Sequence, residues 1–528
     1  MWTFVGVGLA ALIVGITLYD LAQRHHAILR NFPILGHFRY LFEMVGPELR
    51  QYIVTSNDEE KPFSRDERTW VYASAKRQNN YFGFGTDNDV EATPNYLIVR
   101  HAAFPYPTPK PGEQGYSENY RLPCAKVLGA HRRRRKAFRP GSLINISAMS
   151  YGSLSARAVE AINRGAAIAG CLQNTGEGGV APYHRCGGEL VWQIGTGYFG
   201  CRDESGLFSM ERFRETVASA PVRAIEIKLS QGAKPGLGGV LLAAKITPEI
   251  SQIRGIPLGK DCISPSYHTA FRDVDGLLDF VESLADETGL PVGIKSAVGE
   301  LEFWRRLARL MSTTGRGVDF ITIDGGEGGT GAAPLVFSDH VALPFKIAMG
   351  EVYRILHEEG VHENVVLIGS GRLGFPEKAL LALALGCDMV NVGREAMMAV
   401  GCIQAQRCHT GHCPTGVATQ SKWLMRGIDV PSKATRLANY IVTLRKELMW
   451  LANACGEPHP ALITTDQLDI VDDRLRTGSV RSHFGYGERW GLPSEEDCER
   501  IRAIMSDPDA ELGVAGEEVL AARAPLAH

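Results

Sequence analysis

The sequence predicts an α/β protein built on a TIM (β/α)8 barrel, and three observations predict it. From about residue 141 to 430, short apolar runs alternate with helix-period segments, the pattern of parallel strands joined by crossover helices. Eight such runs fall within a stretch of the usual barrel length, roughly 250 residues. No G-x-G-x-x-G lies between the first strand and its helix, which disfavours a dinucleotide-binding sheet.

Taken in order, residues 1–22 come first. Trp2 to Tyr19 is apolar and almost uncharged, and its roughly 18 residues lie at the short end of what spans a bilayer core. A single-pass transmembrane anchor is expected. The basic groups follow the apolar run, as Arg24, His25, His26, Arg30 and Arg39, unlike a cleaved signal peptide. They place the following chain on the cytoplasmic side of the cell inner membrane. A buried N-terminal helix is the alternative. Residues 23–140 are expected to be an extension packing on the barrel. Phe32, Ile34, Leu35, Phe38, Tyr40, Leu41 and Phe42 suit an interfacial helix or a domain-packing one equally. The run His131-Arg132-Arg133-Arg134-Arg135-Lys136 reads as a solvated basic face, with contact to an anionic leaflet as the sharper alternative.

In the barrel, residues 141–430, the expected strands are Ile144–Ala148, Ala169–Gln173, Ala224–Leu229, Asp261–Ser264, Val292–Ser296, Phe320–Asp324, Val365–Ser370 and Met389–Gly393. Helical periodicity fills Ala156–Ala167, Val274–Thr288, Glu300–Met311, Val341–Glu359 and Pro376–Leu385. Residues 431–528 are expected to form a helical extension, with Leu437, Tyr440, Ile441, Leu444, Leu448 and Leu451 at helical spacing, then a loosely packed polar tail.

Composition narrows the function. The net charge of −3 offers no basic footprint, so nucleic acid is not an expected partner. Eleven cysteines in 528 residues are not a disulfide framework, and clustered thiolates require a reducing compartment. Chemistry in this fold sits just after each strand. Those positions carry Met149-Ser150, Asn174 to Glu177, Lys228 with Gln231 and Lys234, and Asp324-Gly325-Gly326. Arg254 follows the lysines. Such cations suit a dicarboxylate, because each carboxylate gains a charge-assisted bond. Lys295 interrupts an apolar run and demands an anionic partner. The seventh and eighth strands end at Gly371 and at Gly393-Arg394, where this fold holds phosphate, so a phosphate-bearing cofactor is expected.

Just downstream, in the loop 401–416, Cys402, Cys408 and Cys413 form a C-x5-C-x4-C-P pattern. An iron–sulfur cluster, a zinc ion completed by His409 or His412, and three unrelated core cysteines all fit that spacing. A cluster beside a flavin would make an electron-transfer pair. The residues thus point to an FMN oxidoreductase fed through an iron–sulfur centre and acting on an anion.

The motifs SAMSYGSLS, NTGEGG, IEIKLSQGAKPGLGG, ISPSYH, DGGEGGTGAAP, LPF and C-x5-C-x4-CPTGVATQ together resemble the FMN-binding synthase domain of glutamate synthase, in the family's order. The resemblance implies a barrel that binds FMN, with a three-iron, four-sulfide (3Fe-4S) cluster on Cys402, Cys408 and Cys413. It implies that ammonia condenses with 2-oxoglutarate and that the imine is reduced to L-glutamate. It assigns catalysis to Glu177, Lys228 and Lys234, and keto-acid binding to Lys228, Gln231, Lys234 and Arg254. FMN contacts fall to Met149, Ser150, Asn174, Lys295, Gly325, Gly326, Gly371, Gly393 and Arg394.

Three departures from the family pattern shape the expectation. No glutaminase domain is expected, so ammonia arrives free, or from glutamine or an amine through a partner. Val240 stands where the family carries a glutamine that contacts the keto acid. Without a dinucleotide fingerprint, electrons come from ferredoxin or an NAD(P)H-oxidising subunit. The alternatives are an N-methylglutamate synthase-type reaction, a membrane-bound FMN amino- or hydroxy-acid dehydrogenase, and an electron relay.

Overall fold

Alternating inward and outward side chains close eight parallel strands into a barrel. In the computed structural model these are β1 (Ile144–Ile146), β2 (Gln173–Asn174), β3 (Leu190–Ile194), β4 (Val222–Lys228), β5 (Val292–Ser296), β6 (Phe320–Asp324), β7 (Val366–Ser370) and β8 (Met389–Val392), each hydrogen-bonded to the next and β8 to β1. The structure describes residues 2–507 apart from 24–25, 51–53, 55–58, 92, 114–115, 473 and 475. Arg24, His25 and the tail beyond 507 therefore lie outside the described residues. The chain divides into two units, residues 1–69 and 70–528.

In the smaller unit, helix Trp2–Ala22 is long and apolar enough to cross a membrane and is exposed along most of its length. Near its end Asp20 is fully buried, accepting from the Ile34 amide at 3.0 Å and pairing with His37 Nε2 at 2.9 Å. Helix Leu35–Leu49 follows, with Leu35, Phe38, Leu41 and Phe42 exposed.

In the larger unit, the β3 assignment corrects the sequence reading. Asp261–Ser264 is not a barrel strand; Cys262–Ile263 pairs antiparallel with Val240–Leu241 as a separate two-stranded ribbon, with helix Pro248–Arg254 between them in the chain. Leu190–Ile194 takes the place instead, because β2 and β3 are linked by a short 3-10 turn, Pro182–His184, and not by a crossover helix. The expected second strand is shifted forward to Gln173–Asn174.

The bottom of the barrel is sealed by the segment before β1. Leu128 bridges Phe138, and both pack with Leu172, Ala224, Phe320, Val366, Ile368 and Met389. The basic run is split: His131, Arg133, Arg135 and Lys136 are exposed, as a solvated face requires, whereas Arg132 and Arg134 turn into this plug. Arg134 is buried and reaches Glu282 at 2.6 Å and Asp319 at 2.9 Å, while Arg132 donates to the Val318 and Asn364 carbonyls. Lys126 meets Asp388 at 3.2 Å. The two carboxylates immediately precede β6 and β8, and each also accepts the amide at or near the start of a neighbouring strand, Val292 and Leu367 respectively.

The long helix Val430–Ala454 caps its N-terminus with Asp429 and packs along helix Ala156–Ala169, where Gly165 leaves room for Ala434 and Leu437. Helix Glu495–Ser506 is better packed than its polar sequence implied. Cys498, Ile501 and Ile504 are buried with Ala125, Ala461 and Leu462. A further sheet joins Tyr96–Val99 to Leu468–Val471, which pairs in turn with Thr477–Ser479.

Arg134→Met leaves Asp319 and Glu282 facing each other without their cation. Breaking a buried pair costs about 3–5 kcal/mol, so the variant should melt several degrees lower by differential scanning fluorimetry. An unchanged melting temperature would show that the plug is held by its apolar contacts alone.

Candidate active site at the barrel mouth

Along β4, Ala224, Glu226 and Lys228 point inward in turn, from apolar floor to polar mouth. Lys228 is in register with Lys295 on β5, so two ammonium groups enter the mouth side by side. Each finds an anion. Lys228 Nζ donates to Glu177 Oε1 at 2.7 Å, and Lys295 Nζ stands 3.5 Å from Asp324 Oδ2. The demand that Lys295 placed on the sequence is thus answered from the adjacent strand.

Around Glu177 the structure gathers the residues expected to bind the anion. Lys228 also donates to Gln231 Oε1 at 3.2 Å. Lys234, 3% exposed, donates to the Gly238 carbonyl at 2.8 Å. Arg254, 6% exposed, donates to the Tyr151 carbonyl at 3.0 Å and to Ser150 Oγ at 3.4 Å, lies over the Phe199 ring, and keeps a buried Nε without a partner. Burial would push the Glu177 carboxyl up, but the charges of Lys228, Lys234 and Arg254 outweigh it and hold it below the usual range. Burial, reinforced by Lys228, pulls the Lys234 ammonium below its ordinary value. Burial does the same to Arg254. Three cations thus face one carboxylate, an excess that a dianion would neutralise.

Two groups that support these cations were not singled out from the sequence. His268 donates from Nε2 to the Lys228 carbonyl at 2.9 Å, while Nδ1 accepts from the Tyr198 hydroxyl at 3.1 Å. Only this tautomer fits, since a carbonyl cannot donate. Burial lowers the His268 pKa, keeping the ring neutral at pH 7. The second is Glu226, buried below Lys228, which accepts from Asn174 and Thr322 at 2.7 Å and from Gln193 at 2.6 Å. His268 lies in the ISPSYH motif, which was a signal; Glu226 could be read only as an acid in a strand.

The expected cofactor residues line the rest of the rim, with some differences. Met149 and Ser150 follow β1, and Gly371 (φ +141°) and Gly393 follow β7 and β8, with no atom closer than 3.4 Å to the point a Cβ would occupy on either glycine. That leaves room for a phosphate against the backbone. Arg394 donates to the Glu327 carbonyl at 2.5 Å, and burial lowers its pKa. Gly325 and Gly326 spend their amides on the Ser370 and Leu343 carbonyls, so they offer close approach and not donors. Asn174 faces down into the barrel, bonded to Glu226 and the Gly176 amide. Gly232 must be glycine, since a Cβ there would lie 1.9 Å from the Gly325 carbonyl oxygen. Val240 is half-exposed on the two-stranded ribbon.

The cysteine loop borders this rim. A Cβ on Gly331, in the loop after β6, would meet Cys408 Cβ at 3.0 Å. Burial would push the Cys413 thiol up, but hydrogen bonds from the Ala418, Thr415 and Val417 amides and the Thr415 hydroxyl bring it below its ordinary value, so its site favours a thiolate. Burial and the nearby Cys413 push Cys408 up, opposed by Lys245. The Gln404 amide approaches Cys402 Sγ at 3.4 Å. Among the described residues no three His, Cys, Asp or Glu side chains converge as a single ion requires, and this holds for Cys402, Cys408 and Cys413 as it does for His409 and His412.

A family model described as the conserved region in glutamate synthase matches residues 124–457. The glutamate synthase large subunit-like protein YerD of Bacillus subtilis is 40% identical over 85% of this chain and 90% of its own length. The archaeal glutamate synthase (NADPH) of Methanocaldococcus jannaschii is 37% identical over 63% of this chain and 62% of its own, so the chain spans less than two thirds of that relative. A flavocytochrome b2 structure with sulfite bound aligns over 89% of this chain and 94% of its own at 15% identity and a TM-score of 0.43. At that score the likeness carries no functional weight.

The depressed Glu177 carboxyl sets a pH dependence. Its link to Lys228 stabilises the fold fully above the unfolded carboxyl's pKa and is lost as pH falls through the folded value. The stability difference between the native protein and Glu177→Gln should therefore be constant from pH 8 to about pH 5 and shrink only below that. Thermal melts across that range check it; a difference that grows on acidification would reverse the sign assigned to Glu177.

Proposed function

Because the chain belongs to the glutamate synthase family, we propose that its barrel carries out reductive amination of 2-oxoglutarate by ammonia to L-glutamate. The observation that carries this reading is the charge excess at the mouth, where Lys228, Lys234 and Arg254 surround the single carboxylate Glu177. A keto diacid matches it. One carboxylate would displace the Gly238 carbonyl from Lys234, and the other would take the guanidinium edge of Arg254, including the unpartnered Nε.

Lys228 has the reach and the proton for the keto group. Its backbone is fixed by His268 and its Nζ is held in place by Glu177 at 2.7 Å. It can donate to the keto oxygen as ammonia adds, while Glu177 accepts the proton that the incoming nitrogen releases and returns it to the resulting hydroxyl as water leaves, giving the iminium. The mouth stays rigid because its loops are bonded to one another: Gly232 N to Asp324 Oδ2 at 2.8 Å and Thr196 Oγ1 to the Pro265 carbonyl at 2.6 Å.

FMN, held by Met149, Ser150, Lys295, Gly371, Gly393 and Arg394, would supply hydride chemistry, and a 3Fe-4S cluster on Cys402, Cys408 and Cys413 would supply one-electron storage. The bordering of the cysteine loop on the rim supports that pairing. Electrons would enter from ferredoxin or an NAD(P)H-oxidising partner, with helix Trp2–Ala22 holding the protein at the inner membrane and the barrel on the cytoplasmic side.

The test is anaerobic. Reduced protein is mixed with 2-oxoglutarate and ammonium, flavin reoxidation is followed, and L-glutamate is assayed. Reoxidation requiring both substrates and yielding glutamate is expected; reoxidation without glutamate would overturn the reading. Lys234→Met should keep its flavin and lose roughly 10- to 100-fold in kcat/KM, the equivalent of about 1.5–3 kcal/mol for a charge-assisted bond. Cys408→Ser should lose iron and sulfide together; full iron content would remove Cys408 from the cluster ligands.

A further inference from the structure

Lys245 sits in the single turn Ala243–Lys245, on the same β4–β5 segment as Lys234 and Arg254. Its side chain leaves that segment and enters the cysteine loop. It is 8% exposed, its Nζ donates to the Cys408 carbonyl at 2.6 Å, and its Cε would lie 3.6 Å from a Cβ on Gly411. Among the described residues no carboxylate pairs with it.

A buried ammonium without an anion is costly, and a single carbonyl bond offsets only part of that cost. The anion must therefore come from the cysteines. We propose that Lys245 is the counter-cation of the centre held by Cys402, Cys408 and Cys413, and that it raises the centre's reduction potential. The inference rests on the cluster reading above and adds a residue to it. Reduction places one more negative charge on the centre, and a fixed positive charge within the same loop favours that form. Because Lys245 shares its segment with the anion-binding cations, it also ties the position of the cysteine loop to that of the keto-acid site.

The test uses the full-length protein and the variants Lys245→Met and Lys245→Arg. Iron and acid-labile sulfide are measured first, then the midpoint potential by EPR-monitored titration. The Met variant should keep its iron and shift the reduction equilibrium at least tenfold toward the oxidised form, about 59 mV for one electron. The Arg variant should stay close to the native protein. A Met variant with full iron and an unchanged midpoint overturns the inference alone. A native protein without iron and sulfide overturns the cluster reading, and the inference with it. Should the Met variant lose iron, Lys245→Gln, which keeps a donor without the charge, carries the same comparison. Loss of iron in the Arg variant as well would make Lys245 a loop anchor and overturn its role in setting the potential.

Discussion

Glu226 is a carboxylate that forms no ion pair among the described residues, and the barrel is arranged around satisfying it by neutral donors. Its oxygens accept from Asn174 on β2, Gln193 on β3 and Thr322 on β6. In a low-dielectric interior such a group is tolerated only when its bonds are complete. Completing them links strands across the barrel and fixes their relative heights. One alternation further along β4 stands Lys228, level with Lys295 on β5. The height of both ammonium groups at the mouth therefore follows from the bonds made below them.

Charge is handled differently at the two ends. At the floor, Asp319 and Asp388 are each matched by a cation from the plug, and each also holds a neighbouring strand by its amide. That end is closed and balanced. At the mouth, Lys295 is balanced by Asp324, whereas among the described residues Lys234 donates to a carbonyl and Arg254 to a carbonyl, a hydroxyl and the Cys262 thiol, and both share Glu177 at longer range. Buried cations with carbonyl partners are not by themselves a sign of chemistry, since Arg445 is answered by the Ala169 carbonyl at a helix end. What distinguishes the mouth is the convergence of several such groups on one opening.

Most of the fold was legible in the sequence because parallel barrel strands are buried on both faces and read as short apolar runs. Leu190–Ile194 escaped because glycines flank it, the inward Gln193 interrupts it, and a 3-10 turn precedes it where a helix was sought. Cys262–Ile263 was mistaken for it because two apolar residues in a two-stranded ribbon look like a strand end. At the site, Lys295 was legible because a lysine within an apolar run requires an anion, and Lys228 because it stands at the end of a strand that opens into the barrel mouth. His268 and Lys245 were not, because their roles exist only through contacts with residues 40 and 163 positions away. Within the basic run Arg134 misled for the same reason, its carboxylate partners lying about 150 to 185 residues further along.

The pairing of Tyr96–Val99 with Leu468–Val471 has a consequence for how the protein is made. The first strand leaves the ribosome some 370 residues before its partner, and at ordinary elongation rates of about 5–20 residues per second the interval is on the order of 20–70 s. Throughout that time both of its edges offer unpaired amides and carbonyls to any other strand nearby. The barrel is translated entirely within this interval. Completion of the small sheet thus records that the barrel and the helix Val430–Ala454 have been made, and a nascent chain released before that point would carry an edge that the folded sheet pairs.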